Sequence, residues 1–285
     1  MDPKTLNALV HDREAAAYDD RFLIDFSTVA REVRRDLTRL LGARPRARRA
    51  LDVACGTGYL AVGLAAGLAD VVHATDLSPK MLERTAANAA RVGASVTLCL
   101  ADGERLPYAD DSFDLVVARG ALHHLPEPLV ALSEFRRVLV PGGVAVVLAE
   151  PTSAGERQVG AVVGVAVRAV EALRRARGLA VDDEHLHWEL ASMAANLHTF
   201  EPNDIAAMAE KAGFEDIVVE TASCAWILAL GLNYYLAGEF ERIAKTPLLR
   251  TTARAIASGA WAFDRAVGDR LFPPGWRHTV QAVLR

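Results

Sequence analysis

A glycine-rich turn in the first fifth of the chain has the composition of a nucleotide-binding loop. It lies in residues 51–61 (LDVACGTGYLA), where Gly56 and Gly58 flank one residue directly after a short apolar run. Glycines let a backbone turn sharply and approach a ligand closely. Asp76 follows Gly56 by 20 residues, where a carboxylate would accept hydrogen bonds from both ribose hydroxyls. The same spacing fits the dinucleotide fingerprint of nicotinamide enzymes, so the turn alone leaves the cofactor open.

Three further features favour a cofactor with an amino-acid end. Asp52 lies inside the first apolar run, where a dehydrogenase strand is normally apolar, and an acid there suits a cationic amino group. It would act directly or through backbone amides and water. Asp102 follows the third apolar run and is placed to accept a hydrogen bond from an adenine amino group. Residues 113–125 (FDLVVARGALHHL) end a fourth run with a turn that would lie beside the cofactor.

Short β-branched runs alternate with helix-like segments along much of the chain. The predicted strands are residues 50–54, 71–75, 96–100, 113–118, 144–149, 214–220 and 278–284. The predicted helices between them are residues 58–68, 79–92, 127–139 and 201–212. Strands that are apolar on both faces and alternate with helices indicate a parallel sheet covered on both sides. The pattern therefore predicts an α/β fold with seven strands.

The sequence resembles class I S-adenosylmethionine-dependent methyltransferases of the ubiquinone/menaquinone-type, small-molecule branch. The resemblance rests on LDVACGTG, ATDLSPKML, ADGERLPYADDSFDLVVARGALHHLPEP and RRVLVPGG, in this order. It covers residues 11–150 closely and 201–220 loosely. It implies a Rossmann-like sheet with an antiparallel last strand, helices on both faces, S-adenosylmethionine as cofactor and S-adenosylhomocysteine as product.

The resemblance also implies roles for individual residues around the cofactor. Those on the methionine side would be Asp52, Ala54, Gly56, Gly58 and Arg119; Asp76 would hold the ribose hydroxyls; Leu77, Met81, Asp102 and Gly103 would lie at the adenine; Tyr18 would fold over the cofactor.

Two apolar, helical insertions interrupt the pattern. The predicted organisation is a helical cofactor cover at 1–48, a core at 49–150 that continues at 201–220 and ends with a strand at 277–285, and insertions at 151–200 and 221–276. Each insertion follows a strand and therefore emerges at the carboxyl edge, where open α/β sheets bind ligands. We expect them to enclose a small hydrophobic or aromatic acceptor, the first acting as a lid. A homodimer surface is the alternative, and residues 225–240 would also suit contact with a membrane surface.

Methyl transfer from a sulfonium needs alignment and exclusion of water, with a base only where the nucleophile must lose a proton. His124 and His123 follow the fourth predicted strand and are the candidate catalytic residues, because the histidine pKa lies near neutral pH. Glu150, at the end of the fifth strand, is a weaker candidate to face the acceptor.

The first insertion carries His185, His187 and His198. The first two are two residues apart and would point apart on a helix, so we predict no metal site. Three scattered cysteines do not form a disulfide framework.

Composition and charge exclude other classes of protein. The chain is 52% apolar and 24% charged with a net charge of −4, which does not indicate nucleic-acid binding. An arginine-rich stretch at residues 31–49 is interpreted as a solvated helix face followed by a loop. The N-terminus lacks the pattern of a signal peptide, and the longest apolar runs are shorter than the ~20 residues of a membrane-spanning helix. We therefore expect a cytoplasmic protein.

Two alternative functions remain at this point. A nicotinamide-dependent oxidoreductase would use the same glycine turn, but the sequence has no Tyr-x-x-x-Lys pair to support it. A non-catalytic protein that binds S-adenosylmethionine would use the insertions as a partner surface.

Thermal unfolding separates the two cofactors. We expect S-adenosylhomocysteine to raise the unfolding temperature of the purified protein and NAD to leave it unchanged, because a ligand stabilises the folded state that binds it. The reverse result would favour the oxidoreductase.

Overall fold

A seven-stranded sheet runs through the computed structural model of the chain. The structure describes residues 1–42, 46–176, 195–222, 225, 227–229, 233, 247–271 and 277–285. The strands are β1 (Ala47–Val53), β2 (Ala69–Asp76), β3 (Thr97–Leu100), β4 (Phe113–Arg119), β5 (Leu139–Pro151), β6 (Ile217–Ala222) and β7 (Thr279–Leu284).

The strands follow the order β3-β2-β1-β4-β5-β7-β6 across the sheet. The pairs from β3 to β5 are parallel, and β7 runs antiparallel to both β5 and β6. This arrangement confirms the predicted seven-stranded fold with an antiparallel last strand. The strand order reverses between β1 and β4, and ligands of open α/β sheets bind at the carboxyl ends of strands beside such a point.

The described helices surround this sheet. They are α1 (Pro3–Glu14), α2 (Tyr18–Arg21), α3 (Val29–Leu41), α4 (Tyr59–Ala65), α5 (Pro79–Val92), α6 (Pro128–Val138), α7 (Ser153–Ala176), α8 (Pro202–Lys211), α9 (Pro247–Phe263) and α10 (Asp269–Leu271), with a 3-10 turn at Leu122–His124 and a π-helical turn at Asp264–Gly268.

Helix α5 begins and ends where its sequence predicts. The Ser78 hydroxyl accepts a hydrogen bond from the Met81 amide, Pro79 occupies the first helical position, and Gly93 closes the helix in a left-handed conformation. These are the usual signals at the two ends of a helix. The helix therefore holds a fixed position after β2, where it supports the site described below.

The central strands are buried on both faces. In β4, Phe113 and Val116 belong to the apolar cluster shared with α6 and α8, whereas Leu115 and Val117 belong to the cluster shared with α3 and α4. Alternate residues of a strand point to opposite faces, so a doubly covered strand must be apolar throughout.

Several strand boundaries differ from the prediction by two to five residues, and two of the shifted starts have a cause in the hydrogen bonding. β5 starts at Leu139 rather than residue 144, because Leu139 pairs with Phe113 ahead of a register shift that accommodates residues 140–143. β6 starts at Ile217 rather than residue 214, because the Phe214 amide donates to the Ala209 carbonyl and closes α8.

The described parts of both insertions are largely helical. In the first, α7 leaves β5, and residues 195–200 return to the core, where the Leu197 amide donates to the His123 carbonyl at 2.8 Å. In the second, α9 and α10 precede β7. None of the described helices combines the length and apolarity needed to cross a membrane.

A glycine-to-alanine pair tests the close packing of α3 on α4. A Cβ at Gly63 would lie 2.5 Å from Cβ of Val33, which is itself buried, so we expect Gly63→Ala to lower the free energy of unfolding by about 1–3 kcal/mol in urea denaturation. Gly160→Ala in α7 is the control. Its Cβ meets open space, so this variant should be neutral or stabilised by up to about 1 kcal/mol. Equal effects of the two changes would contradict the packing.

Candidate active site

The glycine loop between β1 and α4 is left-handed at three positions. Ala54, Gly56 and Gly58 have φ angles of 53°, 54° and 91°. At Gly58 an added Cβ would also lie 2.7 Å from Cγ2 of Thr85, so both backbone and space require glycine. The loop is therefore a narrow, strained turn at the carboxyl end of β1.

Two buried side chains of α5 hold the carbonyl groups of this loop. The Thr85 hydroxyl donates to the Gly56 carbonyl at 2.8 Å, and Nδ2 of Asn88 donates to the Thr57 carbonyl at 3.0 Å. Thr85 and Asn88 are buried, so these bonds satisfy groups that water does not reach. The loop backbone is fixed from below by α5.

Asp76 ends β2 beside the loop. Its carboxylate accepts hydrogen bonds from the Gly56 amide at 2.8 Å and from the Ser78 amide at 2.9 Å. Burial raises the pKa of Asp76, while the Ser78 amide and nearby His11 oppose that rise. Each carboxylate oxygen has two acceptor positions, so the group retains capacity for further donors.

Asp52 anchors the first turn of α4. Its Oδ2 accepts from the Ala61 amide at 2.8 Å, which gives α4 a side-chain acceptor that its own cap residue, Gly58, does not supply. Burial raises the pKa of Asp52 to about 8, the Ala61 amide and Arg119 opposing. The acid that the sequence placed inside the first strand thus contacts the backbone of the loop's helix.

Helix α1 lies over the carboxyl ends of β2 and β3. Nζ of Lys4 lies 2.6 Å from Asp102 and 2.5 Å from Glu104, and the Ser78 hydroxyl donates to Asp12 at 2.5 Å. These contacts attach the helix at both ends of its length. The N-terminal helix therefore lies over the strand ends beside the loop.

Three residues of α1 that line the cavity were not predicted. Lys4, Asn7 and His11 share one helix face at spacings of three and four residues, and that spacing of polar residues is the signal that could have identified them. Nδ2 of Asn7 is buried and makes no hydrogen bond to the described residues.

Helix α2 joins the cover to α5. The Tyr18 ring lies 4.5 Å from the Phe22 ring, and burial raises the pKa of Tyr18. The adjacent Asp19 is buried and accepts from Arg84 at 2.9 Å and from Asn88 at 3.1 Å. Asn88 therefore connects α2 to the glycine loop.

These elements enclose a cavity of about 900 Å³, counted with its open mouth and called here the glycine-loop cavity. The predicted residues that line it are Tyr18, Asp52, Ala54, Gly56, Asp76, Leu77, Asp102, Gly103, Arg119 and His124.

Two predicted cofactor residues are not on the lining of this cavity. Met81 is fully buried, and Gly58 acts through its backbone conformation and its contact with Thr85. The contact expected between Met81 and the adenine is therefore corrected to interior packing.

Glu150 organises the turn after β4 instead of facing an acceptor. Its fully buried carboxylate accepts from the amides of Ala121, Leu122 and His123 at 2.9–3.1 Å and contacts Nδ1 of His123 at 2.9 Å. The weak expectation for Glu150 is corrected: its oxygens are occupied by the 3-10 turn. Because a carboxylate accepts, Nδ1 of His123 carries the hydrogen.

His124 lines the glycine-loop cavity in its neutral form. Its Nδ1 lies 3.0 Å from the Ala195 carbonyl, so Nδ1 donates and Nε2 is left as the acceptor. Burial, with His123 and His11 nearby, lowers its pKa well below the usual value. The His11 and His124 rings pack in a T-shaped arrangement, with 4.9 Å between the ring centres.

Of the three histidines in the first insertion, only His198 lies in the part of the chain that the structure describes. His198 lines neither this cavity nor the one described next, and its Nε2 makes no hydrogen bond to the described residues. His185 and His187 lie outside the described residues. Within the described ranges, no three or more His, Cys, Asp or Glu side chains are placed to bind a metal ion.

A second cavity adjoins the first and is called here the α3–α9 cavity. It encloses about 1600 Å³ with its open mouth and shares Ile24, Tyr59 and Arg119 with the glycine-loop cavity. Its floor includes Leu148 and Ala149 of β5. The shared residues make the two cavities neighbours at the carboxyl edge of the sheet.

The α3–α9 cavity corrects the interpretation of the arginine-rich stretch. Arg31, Arg35 and Arg39 line it from α3, so this helix face borders a cavity rather than bulk solvent alone. The sequence pattern could not show this, because the covering helix α9 lies more than 200 residues later in the chain.

Comparison with known proteins agrees with this geometry. Residues 51–147 match the family model described as a methyltransferase domain. The chain is 39% identical over 109 residues to the ubiquinone/menaquinone biosynthesis C-methyltransferase UbiE of Cupriavidus necator, a match covering 38% of this chain and 44% of that protein. It is 40% identical over 134 residues to the malonyl-(acyl-carrier protein) O-methyltransferase of Halorhodospira halophila, covering 46% and 43%. The chain thus spans less than half the length of these curated relatives.

A solved structure shows the same fold over most of the chain. It is the phosphoethanolamine N-methyltransferase 2 of Haemonchus contortus in complex with S-adenosyl-L-methionine, with a TM-score of 0.56 and 19% identity. The match covers 89% of this chain and 52% of that chain.

The strand order, the glycine loop and the acids at the ends of β2 and β3 together have the arrangement of the class I methyltransferase fold. Residues 51–147 match the methyltransferase-domain family model, and the chain's similarity to the ubiquinone/menaquinone C-methyltransferase confirms the resemblance seen in the four sequence motifs.

The raised pKa of Asp52 gives a pH test of its burial. A carboxyl with a folded-state pKa of about 8 and an ordinary value of 3.8 binds its proton more tightly when folded, so its contribution to stability is lost progressively as the pH rises from about 4 to about 8. In the cofactor-free protein, we expect the free energy of unfolding of wild type to fall relative to Asp52→Asn between about pH 6 and about pH 8 and the difference to level off above that pH. Urea denaturation at each pH measures this difference.

Asp70 provides the matched control, since it lies on the same strand pair with its side chain 57% exposed. The difference between wild type and Asp70→Asn should stay constant over this range. A constant difference for Asp52→Asn as well would contradict the assignment.

Proposed function

We propose that this chain transfers a methyl group from S-adenosylmethionine to a small-molecule acceptor. The observation that carries the proposal is the glycine-loop cavity, in which the loop, Asp76 and Asp102 converge beneath α1. When bound, the cofactor supplies a methyl group already activated for displacement. The protein's own contribution is therefore to bind, to align and to exclude water.

The residues of the cavity fit this cofactor. Asp76 keeps acceptor capacity for the ribose hydroxyls, and Nδ2 of Asn7, which is buried and makes no hydrogen bond to the described residues, offers a donor in the same cavity. Leu77 provides an apolar wall for the adenine, and Gly103 lets the adenine approach the backbone closely beside Asp102. At the other end, Arg119 and Tyr18 would hold the methionine portion.

Lys4 places a positive charge beside Asp102 and Glu104 at the adenine end of the cavity. Its ion pairs with Asp102 and Glu104 close α1 over this end of the cavity. The adenine amino group would share Asp102 with Lys4, since Oδ1 of Asp102 already accepts from the Glu104 amide. Closure of α1 would exclude water from the cofactor.

In this proposal, the acceptor has an apolar or aromatic part and lies in the α3–α9 cavity. Leu148, Ala149 and Trp261 supply apolar surface there, and the shared Tyr59 and Arg119 border the cofactor. Trp261 belongs to α9, so the second insertion encloses the acceptor. The described part of the first insertion contributes no residue to either cavity.

His124 is the proposed base or acceptor contact of the glycine-loop cavity. Its lowered pKa keeps it neutral, and its Nε2 is left to accept a proton or a hydrogen bond. His123 is the second candidate, oriented by Glu150. The alternatives of an oxidoreductase and of a non-catalytic binder are less favoured, because the matched family and the curated relatives are methyltransferases.

Binding and transfer test this proposal together. Calorimetry should show that wild type binds S-adenosylhomocysteine and that Asp76→Ala loses this binding, because the ribose hydroxyls lose their acceptor. Asp70→Ala, on the same strand but at the surface, should bind as wild type does. Mass spectrometry of a cell extract incubated with wild type and methyl-labelled cofactor should then show a labelled small molecule. Absence of binding to wild type would sink the proposal.

A further inference from the structure

Two parallel rows of side chains on α3 face the α3–α9 cavity. Arg31, Arg35 and Arg39 recur every four residues, and Thr28, Glu32 and Asp36 recur beside them. Residues at this spacing share one helix face. The opposite face, with Val29, Val33 and Leu37, is buried against the core. The helix thus presents a charged wall to a cavity whose floor includes the apolar Leu148 and Ala149 beside the polar Thr279 and Gln281.

Arg35 is held rigidly in this wall. Its guanidinium carbon lies 3.6 Å from the centre of the Trp261 ring, and its Nε donates to Asp36 at 3.1 Å. Stacking on an aromatic ring fixes the guanidinium plane and leaves its edge available for a planar anion. The terminal nitrogens of Arg35 make no hydrogen bond to the described residues.

Several other charged side chains that line the α3–α9 cavity have partners within the protein. Arg39 pairs with Glu220, and Arg254 contacts Asp25 at 3.3 Å. Glu32 accepts from the Thr28 hydroxyl at 2.6 Å and from the Tyr59 hydroxyl at 3.2 Å. These contacts leave the edge of Arg35 as a donor for a ligand.

We propose that the acceptor carries a carboxylate, that Arg35 binds this group, and that the apolar part of the acceptor lies on the floor of the α3–α9 cavity. The acceptor is then an amphipathic aromatic or aliphatic acid, bound with its far end near Tyr59 and Arg119, where the two cavities meet. This inference rests on the proposed function and deepens it, since it names the chemical class of the acceptor. A guanidinium held in place recognises a carboxylate through two parallel hydrogen bonds.

Benzoate and benzamide test this assignment, because they share shape and differ in charge. The protein is first saturated with S-adenosylhomocysteine and then titrated calorimetrically with each probe. We expect wild type to bind benzoate at least about tenfold more tightly than benzamide. Arg35→Gln should lose this preference, and Arg35→Lys should retain only part of it, since an ammonium is a point charge without the planar fork.

Arg34→Gln is the matched control. Arg34 is the neighbouring residue on the same helix, but it donates to the Ala66 carbonyl and lines neither of the two cavities of the site. This variant should keep the preference for benzoate.

Each outcome bears on a distinct claim. Equal binding of the two probes, binding of neither, or equal effects of Arg34→Gln and Arg35→Gln would overturn the assignment of Arg35. The initial titration with S-adenosylhomocysteine reports separately on the proposed function and shows that each variant is folded. Failure at that first step is a failure of the function, whereas intact binding without a benzoate preference is a failure of this inference alone.

Discussion

Two buried hydrogen bonds from α5 to the glycine loop support the rest of the site. Thr85 and Asn88 occupy the carbonyls of Gly56 and Thr57, so the loop keeps a conformation that is left-handed at three positions. Such a backbone persists only where its surroundings hold it. Asn88 also contacts Asp19 of α2, which means that the floor of the loop and its cover share one network.

Buried acidic side chains hold much of the backbone around this network by accepting hydrogen bonds from its amides. Asp52 accepts a hydrogen bond from an amide in the first turn of α4, and Asp76 accepts from amides of the loop and of the residue that starts α5. Glu150 accepts from amides of the turn after β4. Each of them satisfies backbone amides at the carboxyl edge of the sheet, where strands end and helices begin with unpaired donors. The edge that carries the glycine-loop cavity is thus stabilised by acids that also line this cavity or lie just behind it.

The two cavities differ in how they are built. The residues that form the glycine-loop cavity lie largely within the sequence motifs, and α1 covers this cavity. The α3–α9 cavity is formed between helices from opposite ends of the chain, with Arg35 stacked on Trp261. The first cavity therefore depends mainly on these motifs, whereas the second cavity requires a helix of the second insertion to lie opposite α3.

The sequence by itself determined the class of fold, the positions of all seven strands within a few residues, and many of the residues that line the glycine-loop cavity. It could do so because strand and helix periodicity are local, and because the carboxyl ends of parallel strands meet at one edge. Asp76 and Asp102 were identified in this way, and Ser78 and Pro79 predicted the start of α5.

Only the tertiary structure decided which polar groups face one another. Glu150 was expected near an acceptor, but it binds the backbone of a turn 27 to 29 residues earlier in the chain. Met81 was expected at the adenine and is buried. Lys4 meets Asp102 across 98 positions, and Arg35 meets Trp261 across a still longer separation. Such contacts depend on how elements pack in three dimensions, which no local pattern of residues specifies.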